Sequence, residues 1–136
     1  MNRFTGPILV VAALVPRFAV GQVCVKQISV PKYVPIALAA RVTGDVSLKI
    51  SIGAQGEVAS VVGSGPSRML VEGAKENVRG WIFCAPMKKR SSRVRLRYIY
   101  RLEGIPVYRI TVPKVVIDLG AGTITITSAP PKIEPD

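Results

Sequence analysis

No histidine occurs among the 136 residues, and this removes most of the usual chemistry at once. A Ser/His or Cys/His nucleophile system has no base. The two cysteines, Cys24 and Cys84, do not complete a tetrahedral metal site by themselves. The carboxylates Asp45, Glu57, Glu72, Glu76, Glu103 and Asp118 are scattered, with no pair spaced as an acid/base couple. Gly63-Ser-Gly-Pro66 precedes a helical pattern but lacks the Gly-Lys-Ser/Thr ending of a phosphate loop, so it reads as a turn. The expectation is a protein that is not an enzyme and carries no cofactor and no metal.

Acidic residues are scarce as well: 8 against 19 lysines and arginines, a net charge of +11. Such a balance selects anionic partners and bears on association, not on fold. The longest apolar run, Pro7 to Val15, falls far short of the ~20 residues of a spanning helix. With Arg3 before it and Ala19-Val-Gly21 after it, residues 1–21 read as a signal peptide cleaved before Gln22. The competing reading is an uncleaved anchor in the inner membrane, against which Pro16 and Arg17 interrupt the run. Cys24 lacks the small preceding residue of a lipid-modified cysteine. Arg3 and Arg17 fall in the leader, so 17 basic residues remain against 8 acidic and the mature charge is +9.

In an oxidising compartment an even cysteine count favours a Cys24–Cys84 disulfide, with two separate buried thiols as the alternative.

What the chain does have is strand and helix patterning. Val25 to Lys32 reads as an extended lead-in, and Pro35 opens a short helix at Tyr33–Arg41. A first strand alternates cleanly, with Val46, Leu48, Ile50 and Ile52 on one face and Ser47, Lys49 and Ser51 on the other. Gly53 and Gly56 bracket a hairpin loop. The second strand, Glu57–Val62, directs Val58 and one of Val61 and Val62 inward, which implies a bulge near Ser60. Ser67 is placed as an N-cap, and Leu70, Ala74, Val78 and Trp81 form an apolar helical stripe ending at Gly80. The stripe makes Trp81 a core residue.

A third strand alternates Val94, Leu96, Tyr98 and Tyr100 with Arg93, Arg95, Arg97 and Arg101, interrupted by Ile99. From Lys88 to Arg101 there are seven basic residues and no acidic one. Nucleic acid is electrostatically suited to that run, but export and the inward tyrosines argue against it. The β-β-α-β order predicts an α+β fold: a three-stranded antiparallel sheet in the order 2-1-3 with one helix on it, the third strand at an edge.

Tyr33-x-Pro35-x-Ala37, Gly44-x-Val46, Ile50-x-Ile52, Gly56-x-Val58, Ser64-Gly65, Leu70, Ala74, Val78, Trp81-x-Phe83 and Pro86 together resemble the C-terminal domain of TonB energy transducers. The resemblance covers about residues 31–103. Cys24, Cys84 and the ending Tyr98–Gly104 resemble a disulfide-bearing subgroup of TonB-like proteins. It implies a periplasmic domain, residues 22–104, that binds a peptide of outer-membrane TonB-dependent receptors by β-augmentation. The edge it assigns is Arg93, Val94, Arg95, Leu96, Arg97, Tyr98, Ile99 and Tyr100. The arginine face there steers an acidic partner or, alternatively, only keeps a bare edge from aggregating. Homodimerisation and a motor-coupled inner-membrane partner stay open.

Two features depart from that pattern. No proline-rich linker precedes the domain: even with residues 8–20 held in a membrane, about ten extended residues reach only roughly 35 Å. Beyond the domain, residues 105–128 add Val107–Val112, Val115–Leu119 and Thr123–Thr127, the last two a hairpin around Gly120-Ala-Gly122. These strands need a partner, and the third strand is the nearest open edge. The extension is therefore expected to compete with a receptor peptide. Residues 129–136, rich in proline, read as a disordered tail. The alternative function is a soluble periplasmic module without energy coupling, its basic face turned to cell-wall or acidic protein ligands.

Overall fold

The computed structural model describes residues 23–86, 92–109 and 111–132. The expected signal peptide therefore lies outside the described residues. In chain order the elements are β1 (Val25–Gln27), α1 (Pro35–Ala39), β2 (Gly44–Ile52), β3 (Val58–Ser64), α2 (Arg68–Arg79), β4 (Ile82–Phe83), β5 (Ser92–Leu102), β6 (Lys114–Asp118) and β7 (Thr123–Ser128).

The β2–β3 hairpin follows from its alternation. Val46, Leu48, Ile50 and Ile52 are buried, and Ser47 and Lys49 face out. Its loop is closed by the Gly53 N–H donating to the Glu57 carbonyl at 2.8 Å and the Gly56 N–H donating to the Gly53 carbonyl at 3.0 Å. Gly56 sits at φ +90°, and a Cβ there would lie 1.9 Å from the Phe83 carbonyl oxygen. Only glycine serves, both for the turn and for the close approach of β4. The bulge lies where Ser51 pairs with Ser60 but Ile52 pairs with Val58. It turns Val58 and Val61 to the core and leaves Val62 exposed.

Helix α2 starts where Ser67, in extended backbone, accepts the Leu70 N–H on its Oγ. Leu70, Ala74, Val78 and Trp81 are fully buried, joined by Val71. This stripe packs on β2 and β3. Pro35 opens α1 as expected, and Ala37 and Leu38 bury its inner face.

The sheet itself departs from expectation. The order β3-β2-β5 reproduces the predicted 2-1-3, but two further strands extend it to five, β3-β2-β5-β7-β6. Strand β7 pairs in parallel with β5, from Arg97↔Thr123 to Leu102↔Ser128. Strand β6 returns antiparallel on its outer side. The physical reason lies in burial. Tyr98 and Tyr100 present more apolar surface than α2 and α1 cover, and Ile124 and Ile126 stand directly beside them on the same face. Without this pairing the flank of both tyrosines and both isoleucines would lack the contacts they make with each other across the ladder.

Two smaller corrections concern the ends. Val107–Val112 forms no strand over its described residues. Val107 only bridges Pro131, donating to the Pro130 carbonyl at 3.0 Å and accepting from the Lys132 N–H at 2.8 Å. Residues 129–132 of the expected disordered tail are therefore held, with the Arg41 guanidinium donating to the Pro131 carbonyl. Residues 133–136 lie outside the described residues. At the other end, the extended lead-in pairs as β1 with β4, Val25 opposite Phe83.

Candidate partner-binding surface

Strand β5 carries every residue assigned to partner binding, and its alternation divides them by face. Leu96, Tyr98 and Tyr100 are buried and Val94 packs against the core. Arg93, Arg95 and Arg97, with Arg101, are exposed on the opposite face. Ile99 shares that outer face yet is only 6% exposed, enclosed by its neighbours in the sheet. Lys88, Lys89 and Arg90 of the basic run lie outside the described residues.

The inward tyrosines belong to a buried polar and aromatic network. Tyr33 and Tyr100 meet edge to face with ring centroids 5.3 Å apart, and Tyr98 stacks on Tyr100 at 6.4 Å. The Tyr98 hydroxyl donates to Asn77 Oδ1 at 2.7 Å. The same oxygen accepts from Trp81 Nε1 at 3.1 Å, and Asn77 Nδ2 donates to the Ser29 carbonyl at 3.0 Å. Burial raises the Tyr33 hydroxyl to about pH 12 and pushes Tyr98 and Tyr100 higher still. All three rings are buried in the core. Asn77 was not singled out from sequence, although its place one residue from Val78 on the buried stripe marks it as a polar group in need of partners.

The edge assigned to β5 is not free along its length. One side pairs with β2 from Ser92 to Tyr100. The other is taken by β7 over Arg97–Leu102, where the Arg97 N–H donates to the Gly122 carbonyl at 2.8 Å and the Glu103 N–H to the Ser128 carbonyl at 2.9 Å. Ser92–Leu96 has no strand on that side among the described residues. The outer strands of the five are β3 and β6. Gly122, at φ +70°, lets the hairpin turn close against β5: a Cβ there would lie 3.1 Å from the Arg95 carbonyl.

Cys24 and Cys84 form a disulfide with Cα atoms 5.4 Å apart, and the Cys84 N–H donates to the Cys24 carbonyl at 3.0 Å. The bridge ties the lead-in to the end of β4, beside Trp81 and Phe83. Among the described residues no three His, Cys, Asp or Glu side chains gather to hold a metal ion, and no helix is long and apolar enough to cross a membrane.

A family model described as Gram-negative bacterial TonB protein C-terminal matches residues 29–102, more than half of the chain. Neither a curated protein nor a solved structure matches. The matched span ends with β5, so the β6–β7 hairpin lies wholly beyond it.

Proposed function

The chain belongs to the family of Gram-negative bacterial TonB protein C-terminal domains, and from that premise we propose that it is a periplasmic protein-interaction module whose partner edge is filled from Arg97 onward by its own C-terminal hairpin. Domains of this family are non-enzymatic and interact with outer-membrane receptors. In this chain the strand that would receive a receptor peptide already holds one of its own. The observation that carries the reading is the parallel ladder of β5 with β7, with Ile124 and Ile126 fully buried against the core.

Energetics favour the internal strand. Burying an isoleucine contributes about 1.5–3 kcal/mol, so two of them outweigh what a short peptide gains from ladder bonds alone. The hairpin is also tethered, which places it at an effective concentration on the order of millimolar. A free receptor peptide competes against both. The domain accordingly works as a binding module without energy coupling, engaging partners through surfaces other than the filled edge.

The test is a titration of the full chain with a TonB-box peptide, followed by amide NMR. The expected result is no saturable shift at Arg97–Leu102 up to about a millimolar, with Thr123–Ser128 amides protected from exchange throughout. Saturable shifts there, accompanied by loss of protection in Thr123–Ser128, would show the peptide replacing β7 and overturn the reading.

A further inference from the structure

The face of the sheet opposite the core carries a concentration of cations that folding does not explain. Lys49 on β2 stands directly across from Arg95 on β5. Arg93 and Arg97 lie two residues to either side of Arg95, each about 7 Å away along the strand. Arg101 continues the row, and all five side chains are exposed. Hydroxyls fill the gaps: Ser51 is opposite Arg93, and Arg97 lies between Ser47 and Thr123.

Two structural explanations fall short of the whole cluster. Like charges directly opposite in a sheet are destabilising, so the Lys49/Arg95 pair does not serve stability. Basic residues on a bare edge discourage aggregation, but that accounts only for Arg93 and Arg95: Lys49 is flanked by Val62 and Arg95, and Arg97 by Ser47 and Thr123. Nor are the cations neutralised internally. Among the described residues the one ion pair is Glu72–Lys75 on α2. The acids near this face, Asp45 and Asp118 across from Ile99 and Thr123 and Glu103 just past the end of β5, all stand away from the Lys49/Arg95 pair.

We infer that this face docks on a membrane surface rich in phosphate headgroups. The inference goes beyond the filled-edge reading and does not depend on it. Arginine and lysine recognise phosphate oxygens, arginine in a two-pronged manner. The site is an open sheet face with cations and hydroxyls laid out across two neighbouring strands, which matches a planar array of headgroups. Its composition argues against a protein occupant. Interface cores are apolar or aromatic and depleted of charge, whereas no aromatic side chain of these strands points outward. The exposed apolar side chains on this face, Val62 and Val116, stand on the two outermost strands rather than at its centre.

The probe is phosphatidylcholine vesicles with and without an equal part of phosphatidylglycerol, in a co-sedimentation assay of the full chain. Binding is expected to the phosphatidylglycerol vesicles only, weakening as salt is raised from 50 mM to 500 mM by the screening argument. Each cation near such a surface multiplies affinity about fivefold, so Arg95→Thr with Arg97→Thr should weaken binding about 30-fold. Threonine keeps the strand preference of both positions, and the near-ultraviolet dichroism of Trp81 verifies the fold. Arg68→Gln with Arg79→Gln removes the same charge from the helix side and should change binding by less than about threefold. An equal loss in both double variants would reduce the effect to net charge and overturn the proposal. So would equal binding to neutral vesicles, or binding to polyglutamate or an acidic polysaccharide with none to vesicles.

Discussion

Asn77 joins three elements through one side chain. Its oxygen accepts from Tyr98 on β5 and from Trp81 at the end of α2, and its amide donates to Ser29 in the lead-in. An unsatisfied buried donor costs roughly 1–3 kcal/mol, more than the bond itself contributes in net terms. Asn77→Leu strands the Tyr98 hydroxyl, and a loss of roughly 2–3 kcal/mol is expected in urea denaturation. Tyr98→Phe removes the donor instead, leaves the oxygen bonded to Trp81, and should cost about 1 kcal/mol. The reverse order of the two effects would contradict the hub role.

The buried tyrosines set an alkaline limit. Each phenol has a folded value above the ordinary 10.0, with Tyr33 at about 12 and the others higher. The native state therefore holds protons that the unfolded chain has released, so stability is full below pH 10 and falls as pH rises through 12. Denaturation midpoints measured from pH 8 to 12 should decline only above about 10, together with the tyrosinate absorbance. At Gly56 the constraint is steric. Gly56→Ala drives a methyl group into the Phe83 carbonyl at a positive φ, and a loss of about 3 kcal/mol in the same assay is expected.

At the scale of elements, the β6–β7 hairpin behaves as part of the core and not as an appendage. Ile124→Ala and Ile126→Ala should each cost about 2–5 kcal/mol, the range for emptying a buried isoleucine site. Val116→Thr, on the exposed side of β6, should stay within about 0.5 kcal/mol. Small losses at both isoleucines would mean the hairpin is only loosely docked. The alternations of β2, β5 and β7 and the stripe of α2 were readable because each runs long enough for its period to show. β1 and β4 were not, since pairs of two or three residues carry no period. Val107–Val112 looked like a strand by composition, but the described part of it is tied only by the bridge at Val107.

For the molecule as a whole, the disulfide spans 60 residues of sequence and encloses the lead-in, α1, the β2–β3 hairpin, α2 and β4. Loop closure of that length contributes about 4 kcal/mol by restricting the unfolded chain. Cys24→Ser with Cys84→Ser should lower stability by that amount in denaturant while keeping the native dichroism spectrum. β5, β6 and β7 lie outside the enclosed loop.

By itself the sequence determined which faces of β2, β5 and α2 point inward, where the helices begin and which family the chain joins. Those depend on local periodicity, capping and the ordered spacing of a few side chains, all carried by neighbours in the chain. The tertiary structure alone decided how the extension meets β5: in parallel, and over Arg97–Leu102 only. Strand pairing joins residues 97–102 to 123–128 across an intervening segment; the open edge of the third strand offers the partner, but nothing in either stretch fixes direction or register. What settles it is the surface left bare by Tyr98 and Tyr100, which Ile124 and Ile126 can bury only by lying beside them. That one pairing covers β5 from Arg97 to Leu102 and leaves Ser92–Leu96 without a strand on that side among the described residues.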